Sequence, residues 1–304
     1  MRIVKMNGGL GNQSFQYIFL RYIEENSGET CIIDDLSFLG EHLQHNGYEL
    51  EKIFSIRHPR LSDSFDPDVI AEMRRLLGMS KVPGQKPENI ISVFRACGID
   101  LLPVQEGNTF LDANDYQGPI FSAPLNEFYP DILRCSGNLY YYGYWINGRW
   151  FGSILDKMVQ EFHFPALPDA KNRSYMSEIQ GAGERSVAVH IRRGDFLDLG
   201  LATSPEWYQA AIVKFREHIV NPVFFMFSDD IPWVKENRVE MGLLPNDKVI
   251  FVEGNMGGNN YIDMQLMAAC RGMVIANSSF SYLAALLNRR PDRLVAHPAA
   301  REVI

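Results

Sequence analysis

The chain has 304 residues, a length that fits two α/β domains or one large one. Apolar residues make up 46% of it, which is normal for a globular protein with a core, and its formal net charge is −8. This acidic balance argues against a nucleic acid as the main partner, whereas a few well-placed arginines could still bind a small anionic molecule.

Cysteine spacing and hydropathy favour a cytoplasmic protein. Cysteines occur only at positions 31, 97, 135 and 270, and their wide spacing indicates neither a zinc site nor a disulfide scaffold. No apolar run approaches the roughly 20 residues that cross a bilayer, and the N-terminus does not read as a signal peptide. We therefore expect no transmembrane segment, and weak peripheral attachment at the inner face of a membrane stays open.

The N-terminal sequence has the pattern of an α/β domain. Residues 2–6 predict a strand, residues 12–25 a helix and residues 29–34 a second strand, with a glycine turn at residues 7–11 between the first two. From residue 36 to residue 130 the pattern is irregular, with many prolines and glycines. No elements are predicted there.

Two features mark the middle of the chain. The mostly aromatic residues 139–145 predict a strand, for which packing in the core is favoured over lining a cleft. Residues 164–168 contain two prolines and predict a linker. We therefore divide the chain into an N-terminal α/β domain of residues 1–165 and a C-terminal domain of residues 166–304.

After the linker, strands of β-branched and apolar residues alternate with amphipathic helices, which predicts a parallel, doubly wound sheet. The predicted strands cover residues 186–190, 223–227, 248–252, 273–276 and 293–296. The predicted helices cover residues 205–218, 232–241, 261–270 and 279–287.

The richest group of candidate site residues is the sequence HIRRGD at residues 190–195, where the first strand of this domain ends. Ligands of open parallel sheets bind beyond the carboxyl ends of the strands, and alternation along a strand predicts that His190 and Arg192 share a face. Because guanidinium groups bind phosphate oxygens in a bidentate way, Arg192 and Arg193 indicate a diphosphate. An Arg–Asp ion-pair network at the strand end is the alternative.

The sequence FSDD at residues 227–230 follows the next strand. A carboxylate here could accept hydrogen bonds from N1–H and N2–H₂ of a guanine. A divalent metal held by Asp229 and Asp230 is disfavoured, because adjacent side chains on an extended backbone point apart. N-capping of the next helix by Asp230 is a further alternative.

The sequence NSSFS at residues 277–281 lies between a predicted strand and an apolar helix. Small hydroxyl side chains at a helix start cap its free N–H groups, and this role alone would account for them. The same geometry also forms an anion site from backbone N–H groups and the helix dipole.

The N-terminal glycine turn has two interpretations. Gly9 and Gly11, with acids at Asp34 and Asp35, suggest a dinucleotide-binding fingerprint, although the third glycine of that fingerprint is Ser14 here. A turn that simply lets a strand and a helix pack closely is the alternative.

Together these motifs resemble those of the α-1,2-fucosyltransferases of glycosyltransferase family 11, in their bacterial, soluble form. The matching segments run in family order over almost the whole chain, at residues 8–13, 15–17, 190–195, 227–237 and 277–281. Position 14, where the family usually carries a larger apolar residue, is a serine.

The resemblance implies an α/β, GT-B-like fold, in which two Rossmann-like doubly wound domains face each other across a cleft. Residues 1–165 would form the acceptor side and residues 166–304 the GDP-fucose-binding domain. The implied reaction is an inverting transfer of L-fucose from GDP-β-L-fucose to the 2-hydroxyl of a terminal galactose in a glycan. The implied partners are GDP-fucose, as co-substrate, and a galactose-containing glycan acceptor, with no metal, no other cofactor and no nucleic acid.

The resemblance also implies residue roles. His190 and Asp229 would read guanine, Arg192 and the turn at residues 278–280 would hold the diphosphate, and Asn12 would face the reacting centre together with Gln13. The donor-binding candidates are His190, Arg192, Arg193, Ser228, Asp229, Asn277, Ser278, Ser279 and Phe280. The catalytic candidates are Arg192, Asp195 and Asn12, and the glycine loop contributes Gly9, Gly11, Asn12 and Gln13.

The sequence leaves the catalytic base unidentified and two alternative functions open. The catalytic base is not identified: Asp195 is a candidate, and Glu206 and Asp198 are weaker ones. An NAD(P)-dependent sugar oxidoreductase or epimerase would use the glycine turn and its acids but would leave residues 190–195 without a role. A catalytically inactive sugar-nucleotide-binding protein is the non-enzymatic alternative.

Overall fold

The computed structural model describes residues 1–39, 45–79, 88–108, 116 and 118–298. The chain forms two compact units, Met1–Glu161 and Phe162–Ile304. The assignment of the acceptor to the first domain and of the donor to the second stays a prediction.

The N-terminal unit contains a five-stranded parallel sheet with the strand order β2-β1-β5-β3-β4. Its strands are β1 (Arg2–Lys5), β2 (Cys31–Asp34), β3 (Leu102–Glu106), β4 (Phe121–Ala123) and β5 (Leu139–Tyr142). All four residues of β1 are buried, as expected for an inner strand of a parallel sheet.

Seven α-helices are described in this unit. They are α1 (Leu10–Ser27), α2 (Leu50–Phe54), α3 (Leu61–Ser64), α4 (Pro67–Leu76), α5 (Ile90–Ala96), α6 (Gly148–Ser153) and α7 (Leu155–Glu161). Helix α1 ends at Gly28, whose φ of 71° is readily adopted by glycine alone. In the irregular region, α4 and α5 begin behind the N-capping side chains of Asp66 and Asn89.

The aromatic segment after Gly137 packs mainly in the core. Tyr140, Tyr141 and Trp145 are buried, so the core-packing interpretation is confirmed for them. The Trp145 ring stacks on Phe19 of α1 with a centroid distance of 4.0 Å and an interplanar angle of 7°. Tyr144, in contrast, is exposed.

The C-terminal unit contains a second five-stranded parallel sheet with the order β10-β9-β6-β7-β8. Its strands are β6 (Ser186–Ile191), β7 (Val223–Ser228), β8 (Lys248–Phe251), β9 (Gly272–Val274) and β10 (Leu294–Ala296). The chain proceeds from β6 outward to β8 and then returns to add β9 and β10 on the other side of β6. This connection is doubly wound, as predicted.

The helices of this unit are α8 (Ala170–Ala182), α9 (Gly194–Asp198), α10 (Pro205–His218), α11 (Ile231–Glu236), α12 (Tyr261–Ala269) and α13 (Ser279–Leu287). Helix α8 was not predicted, because Asn172, Ile179 and Ala182 are its only buried residues and they give a weak apolar stripe. The prediction for residues 232–241 was too long. Helix α11 ends at Glu236, where the Asn237 side chain donates a hydrogen bond to the carbonyl of Trp233.

The predicted α/β fold class is confirmed. Two Rossmann-like parallel sheets in one chain are the architecture that the GT-B class requires. No helix in the described part of the chain is long and apolar enough to cross a membrane.

Candidate functional site

The carboxyl ends of β6 and β9 form the switch point of the C-terminal sheet. These strands are neighbours, and the chain leaves β6 towards β7 but leaves β9 towards β10, on the opposite side. Open α/β sheets bind their ligands at such a point. The sequence at residues 190–195 begins with the last two residues of β6, and that at residues 277–281 begins three positions after the end of β9.

His190 is a buried side chain at this point. Its ring lies 5.8 Å from that of Phe280, so the two motifs contact each other. Burial, together with the positive charge of Arg192, lowers the pKa of His190 to about 3, and the ring is therefore neutral. Its Nδ1 has no hydrogen-bond partner among the described residues. A neutral imidazole in this state can offer a ligand one donor or one acceptor.

The two arginines of the motif form an ion-pair network, which is the alternative interpretation of this sequence. Arg192 pairs with Asp195 at 2.6 Å and with Asp229 at 2.9 Å. Arg193 pairs with Asp230 at 3.1 Å, and its guanidinium lies 3.6 Å above the ring of Trp233. Both guanidiniums are still partly exposed, so a bound phosphate could exchange with the carboxylates.

Asp229 orients the arginine motif in this structure. One of its carboxylate oxygens accepts the backbone N–H of Arg193 at 2.9 Å, and the other accepts Arg192. A Cβ at Gly194 would lie 2.7 Å from that second oxygen, which explains a glycine there. Because two of its acceptor sites are already used, Asp229 is less free to bind guanine than the sequence suggested.

Asp230 caps α11, as the capping interpretation predicted. Its carboxylate accepts the N–H of Trp233 at 3.2 Å while pairing with Arg193. Asp229 and Asp230 therefore pair with the guanidinium groups of different arginines. No group of three or more metal-ligating acids, histidines or cysteines occurs among the residues that the structure describes.

The turn after β9 also caps a helix. The Ser278 side chain accepts the N–H of Phe280 at the start of α13, which confirms the capping interpretation. The N–H of Asn277 donates to the hydroxyl of Thr203 at 3.3 Å. The anion site proposed for Ser278, Ser279 and the helix N-terminus stays a prediction.

A cavity of about 300 Å³ lies beside this network, at the carboxyl ends of β7 and β8. Its lining residues are Ser228, Asp229, Ile231, Pro232, Val252, Glu253, Gly254, Asn255, Met256 and Asp263. Burial raises the pKa of Asp263 to about 7, although the Asn255 amide donates a hydrogen bond to its carboxylate at 2.7 Å. A partly buried carboxyl with a perturbed pKa in a cavity is typical of a ligand-binding group.

Asp263 and Asn255 were missed by the sequence analysis. In α12, Asp263 lies between the apolar residues Ile262 and Met264, which are both buried. One signal was available, namely a single acid inside a mostly apolar helix.

The glycine turn fits the packing interpretation. Gly8 has a φ of +74°, and a Cβ there would lie 2.5 Å from Nδ2 of Asn12. Gly9 immediately precedes α1, and Gly11 is buried in its first turn. Asn12 is partly exposed and stays a candidate for the reacting centre.

The position of Gln13 at the reacting centre stays a prediction, and in this structure its amide forms hydrogen bonds inside the N-terminal unit. The side chain is fully buried, and its amide donates to the carbonyls of Gly8 and Gly47, both at 2.9 Å. Its carbonyl oxygen accepts the N–H of Glu49 at 2.8 Å. Gln13 therefore joins the glycine turn to residues 47–49, and no group of its amide points to a ligand.

The acids required by the dinucleotide alternative are occupied inside the unit. Asp34 is fully buried and bonds to Lys5 at 3.2 Å and to the Tyr140 hydroxyl at 2.6 Å. Asp35 is 2% exposed and accepts the N–H of Ser62 at 3.2 Å. Neither carboxylate is available for a ribose hydroxyl, so the fingerprint is not formed.

The candidate bases differ in their surroundings. Asp195 is half exposed and paired with Arg192, which suits an orienting role as well as a catalytic one. Hydrogen bonds from its own backbone N–H and from Ser204 at the start of α10 lower the pKa of Glu206, which weakens it as a base. The base stays unassigned.

A family model and named relatives both indicate that the chain is a glycosyltransferase. The model of Glycosyl transferase family 11 matches residues 125–302, more than half of the chain. An "Alpha-1,2-colitosyltransferase" of Escherichia coli is 29% identical, over 94% of this chain and 87% of that protein. A "Galactoside 2-alpha-L-fucosyltransferase SEC1" of Bos taurus is 25% identical, over 68% of this chain and 55% of that protein. The crystal structure of fucosyltransferase NodZ from Bradyrhizobium matches with a TM-score of 0.48 and 14% identity, over 94% of this chain and 92% of that chain.

Proposed function

Because this chain belongs to glycosyl transferase family 11 and is therefore a glycosyltransferase, we propose that it moves L-fucose from GDP-β-L-fucose to the 2-hydroxyl of a terminal galactose in a glycan. The observation that carries this proposal is the arginine pair at the switch point of the C-terminal sheet. The names of the Escherichia coli and Bos taurus relatives both specify a bond to a 2-hydroxyl, which supports this linkage.

The diphosphate of the donor would replace carboxylates in the ion-pair network. Arg192 would release Asp195 and bind phosphate oxygens with the same face of its guanidinium. Ser278 and Ser279, at the positive end of the α13 helix dipole, would bind the remaining oxygens. The positive charge that stabilises the leaving diphosphate then comes from the protein, so the reaction needs no metal.

The guanine would occupy the cavity at the carboxyl ends of β7 and β8. Asp263 is the group best suited to it, because an ionised carboxyl can accept both N1–H and N2–H₂ of guanine, whereas adenine lacks this pair of donors. Asn255 holds the Asp263 carboxylate in place. Asp229 would act mainly by positioning Arg192, in contrast to its expected role as a guanine reader.

The chemistry is a single displacement with inversion. The bond between the fucose C1 and the phosphate oxygen breaks, the galactose 2-oxygen bonds to C1 from the opposite face, and the 2-hydroxyl proton passes to a base. Charge on the leaving oxygen grows in the transition state, where Arg192 binds it more strongly than in the ground state. Asp195, freed from Arg192 by the diphosphate, is the candidate base within this motif.

Colitose is the second candidate for the transferred sugar, because the Escherichia coli relative is named for it. Colitose differs from L-fucose by the absence of the 3-hydroxyl. A site that binds this hydroxyl through a buried polar group rejects the deoxy sugar strongly, whereas a site that leaves it in solvent accepts both. Comparison of the two GDP-sugars therefore decides between them.

Incubation of the full chain with GDP-fucose and a panel of β-galactosides, followed by linkage analysis of the products, tests the proposal. We expect fucose on the galactose 2-hydroxyl, and parallel reactions with GDP-colitose measure the preference for the sugar. Attachment to another hydroxyl would contradict the linkage. A melting temperature raised by GDP without any turnover would indicate an inactive binding protein, and a rise with NAD alone would indicate an oxidoreductase.

A further inference from the structure

Tyr144 presents an exposed aromatic ring at the carboxyl end of β5, the central strand of the N-terminal sheet. The residue is 43% exposed, and it lies two positions after the last residue of the strand. Ligands of parallel sheets bind beyond such strand ends. A single exposed tyrosine is ordinary on a protein surface, so the argument depends on how the backbone beneath it is held.

The backbone next to Tyr144 is strained. Trp145 has a φ of +55°, a left-handed conformation that bulky side chains rarely adopt. Such a conformation persists only where the surrounding structure enforces it, and it occurs preferentially at binding sites. The turn directs the Trp145 ring inward onto Phe19, while Tyr144 stays at the surface.

Glu106, the last residue of β3, enforces this conformation. It is 1% exposed, and one carboxylate oxygen accepts the N–H groups of both Tyr144 and Trp145 at 2.8 Å. The other oxygen accepts the N–H of Asn126 at 2.8 Å. Burial of a carboxylate is costly unless hydrogen bonds compensate for it, and here three backbone donors do so.

Gln16 of α1 connects this loop to the end of β1. Its buried amide donates to the side chain of Asn7 at 2.7 Å and to the carbonyl of Gly143 at 3.0 Å. Its carbonyl oxygen accepts the N–H of Asn7 at 3.0 Å. A Cβ at Gly143 would lie 2.5 Å from Cβ of Glu106, so the loop is closely packed against β3 as well.

We propose that the Tyr144 ring is the surface on which the galactose ring of the acceptor stacks. This inference rests on the proposed function and identifies the acceptor subsite for it. The axial 4-hydroxyl of galactose leaves hydrogens of C3, C4 and C5 together on one face, and these polarised C–H bonds match the negative face of an aromatic ring. Stacking through this face leaves the 2-hydroxyl at the ring edge, where it can react.

Glu106 is a positioning residue in this proposal. It does not contact the sugar but fixes the loop that carries Tyr144 before the acceptor arrives. A preformed ring loses little conformational entropy on binding, which favours a weakly held substrate such as a sugar.

Steady-state kinetics of the full chain with GDP-fucose and lactose test the role of Tyr144. We expect Tyr144→Ala to raise the KM for lactose about tenfold or more, with less than about a twofold change in the KM for GDP-fucose. Tyr144→Phe should recover most of the lost affinity, because it keeps the ring. Leu155→Ala is the matched control, since Leu155 is also 43% exposed but lies on α7, beside the second half of α1.

A double-mutant cycle tests the role of Glu106. Glu106→Gln should raise the KM for lactose in the wild-type background but add little in the Tyr144→Ala background, while lowering the melting temperature equally in both. Equal increases of KM in both backgrounds would show that Glu106 does not act through Tyr144. An unchanged KM for lactose in a folded Tyr144→Ala variant would overturn the proposal as a whole.

Saturation-transfer NMR with lactose and GDP separates this proposal from the proposed reaction. We expect the strongest transfer at the galactose H3, H4 and H5 protons, and its loss in Tyr144→Ala. If the wild type transfers no fucose but shows this pattern, the proposed reaction fails and the subsite stands. If it transfers fucose but Tyr144→Ala keeps the pattern, the subsite fails and the reaction stands.

Discussion

At the carboxyl edge of the C-terminal sheet the charged groups pair with one another and stay partly exposed, whereas at the same edge of the N-terminal sheet they are buried. Asp195 exposes 52% of its side chain while it pairs with Arg192. Asp34 exposes none of its side chain, and its partner Lys5 exposes 10%. A ligand phosphate can displace an exposed carboxylate at little cost, but a buried ion pair cannot exchange its partner without leaving a charge uncompensated.

The charged groups of the two edges differ in their role. Those at the C-terminal edge are accessible and can bind a diphosphate. The N-terminal edge uses its charges internally, with Glu106 bound to three backbone N–H groups, and so determines the shape of the surface loops. The predictions below test this difference.

The largest expected effect is on stability, at Asp34. Asp34→Ala leaves the buried ammonium of Lys5 and the Tyr140 hydroxyl without their acceptor, so we expect a loss of about 3–5 kcal/mol in the free energy of unfolding. Asp195→Ala removes only an exposed pair and should cost less than about 1 kcal/mol. Urea unfolding of both variants measures the difference, and equal losses would refute the contrast between the two edges.

Arg192 should show the next largest effect, on the rate. Arg192→Ala is expected to lower kcat about 10²–10³-fold, since it removes a contact that strengthens in the transition state. Arg192→Lys should restore little, because an ammonium acts as a point charge and cannot bind two oxygens in fixed geometry. Kinetics with saturating GDP-fucose provide the test. Near-native kcat in a folded Arg192→Lys variant would make Arg193 the better candidate for the contact with the leaving group.

Asp263 tests whether a partly buried acid of the C-terminal unit serves a ligand. We expect Asp263→Asn to weaken GDP binding by about 10- to 150-fold, equivalent to about 1.5–3 kcal/mol for a hydrogen bond to a charged acceptor. Calorimetry with GDP and ADP gives the measurement, and the loss should be confined to GDP. Asp229→Asn should weaken both nucleotides, since Asp229 acts on the diphosphate through Arg192. The opposite pattern would return the reading of guanine to Asp229.

Most of the C-terminal unit could be predicted closely because its apolar strands alternate regularly with helices whose first residues carry start signals, such as Pro205 and the capping Ser278. Helices α10 and α13 begin and end at the predicted residues. Between residues 36 and 130, the described helices have at most ten residues, and the sequence periodicity of such short elements does not separate helix from strand.

The same reasoning explains which site residues could be found. A run of adjacent arginines and acids is visible in sequence, since charge is expensive beside an apolar strand. Glu106 and Asp263 are single acids in apolar segments. The partners of Glu106 are backbone N–H groups up to 39 residues away, which no sequence motif marks. The contacts of Gln13 could not be predicted for a similar reason, because its backbone partner at Gly47 lies 34 residues away.

The smallest expected effect is the pH dependence of GDP binding, and it follows from the raised pKa of Asp263. Burial raises this pKa from 3.8 to about 7, so folding favours the protonated form. This contribution to stability is present below about pH 4 and is lost as the pH rises through 7.

The affinity for GDP should change with pH in the opposite direction, because the N–H donors of guanine need the ionised carboxylate. Between pH 6 and pH 8 the ionised fraction of such a group rises about tenfold, and the affinity for GDP should rise with it. Because ADP carries the same diphosphate, the ratio of GDP to ADP affinity is free of the titration of that group. Asp263→Asn should make this ratio independent of pH. His190, with a pKa of about 3, stays neutral throughout this range and contributes nothing to the change. A ratio of GDP to ADP affinity that is constant from pH 6 to pH 8 would show that the Asp263 carboxylate does not bind the base. Asp263 would then serve structure alone, as Asp34 and Glu106 do in the N-terminal unit.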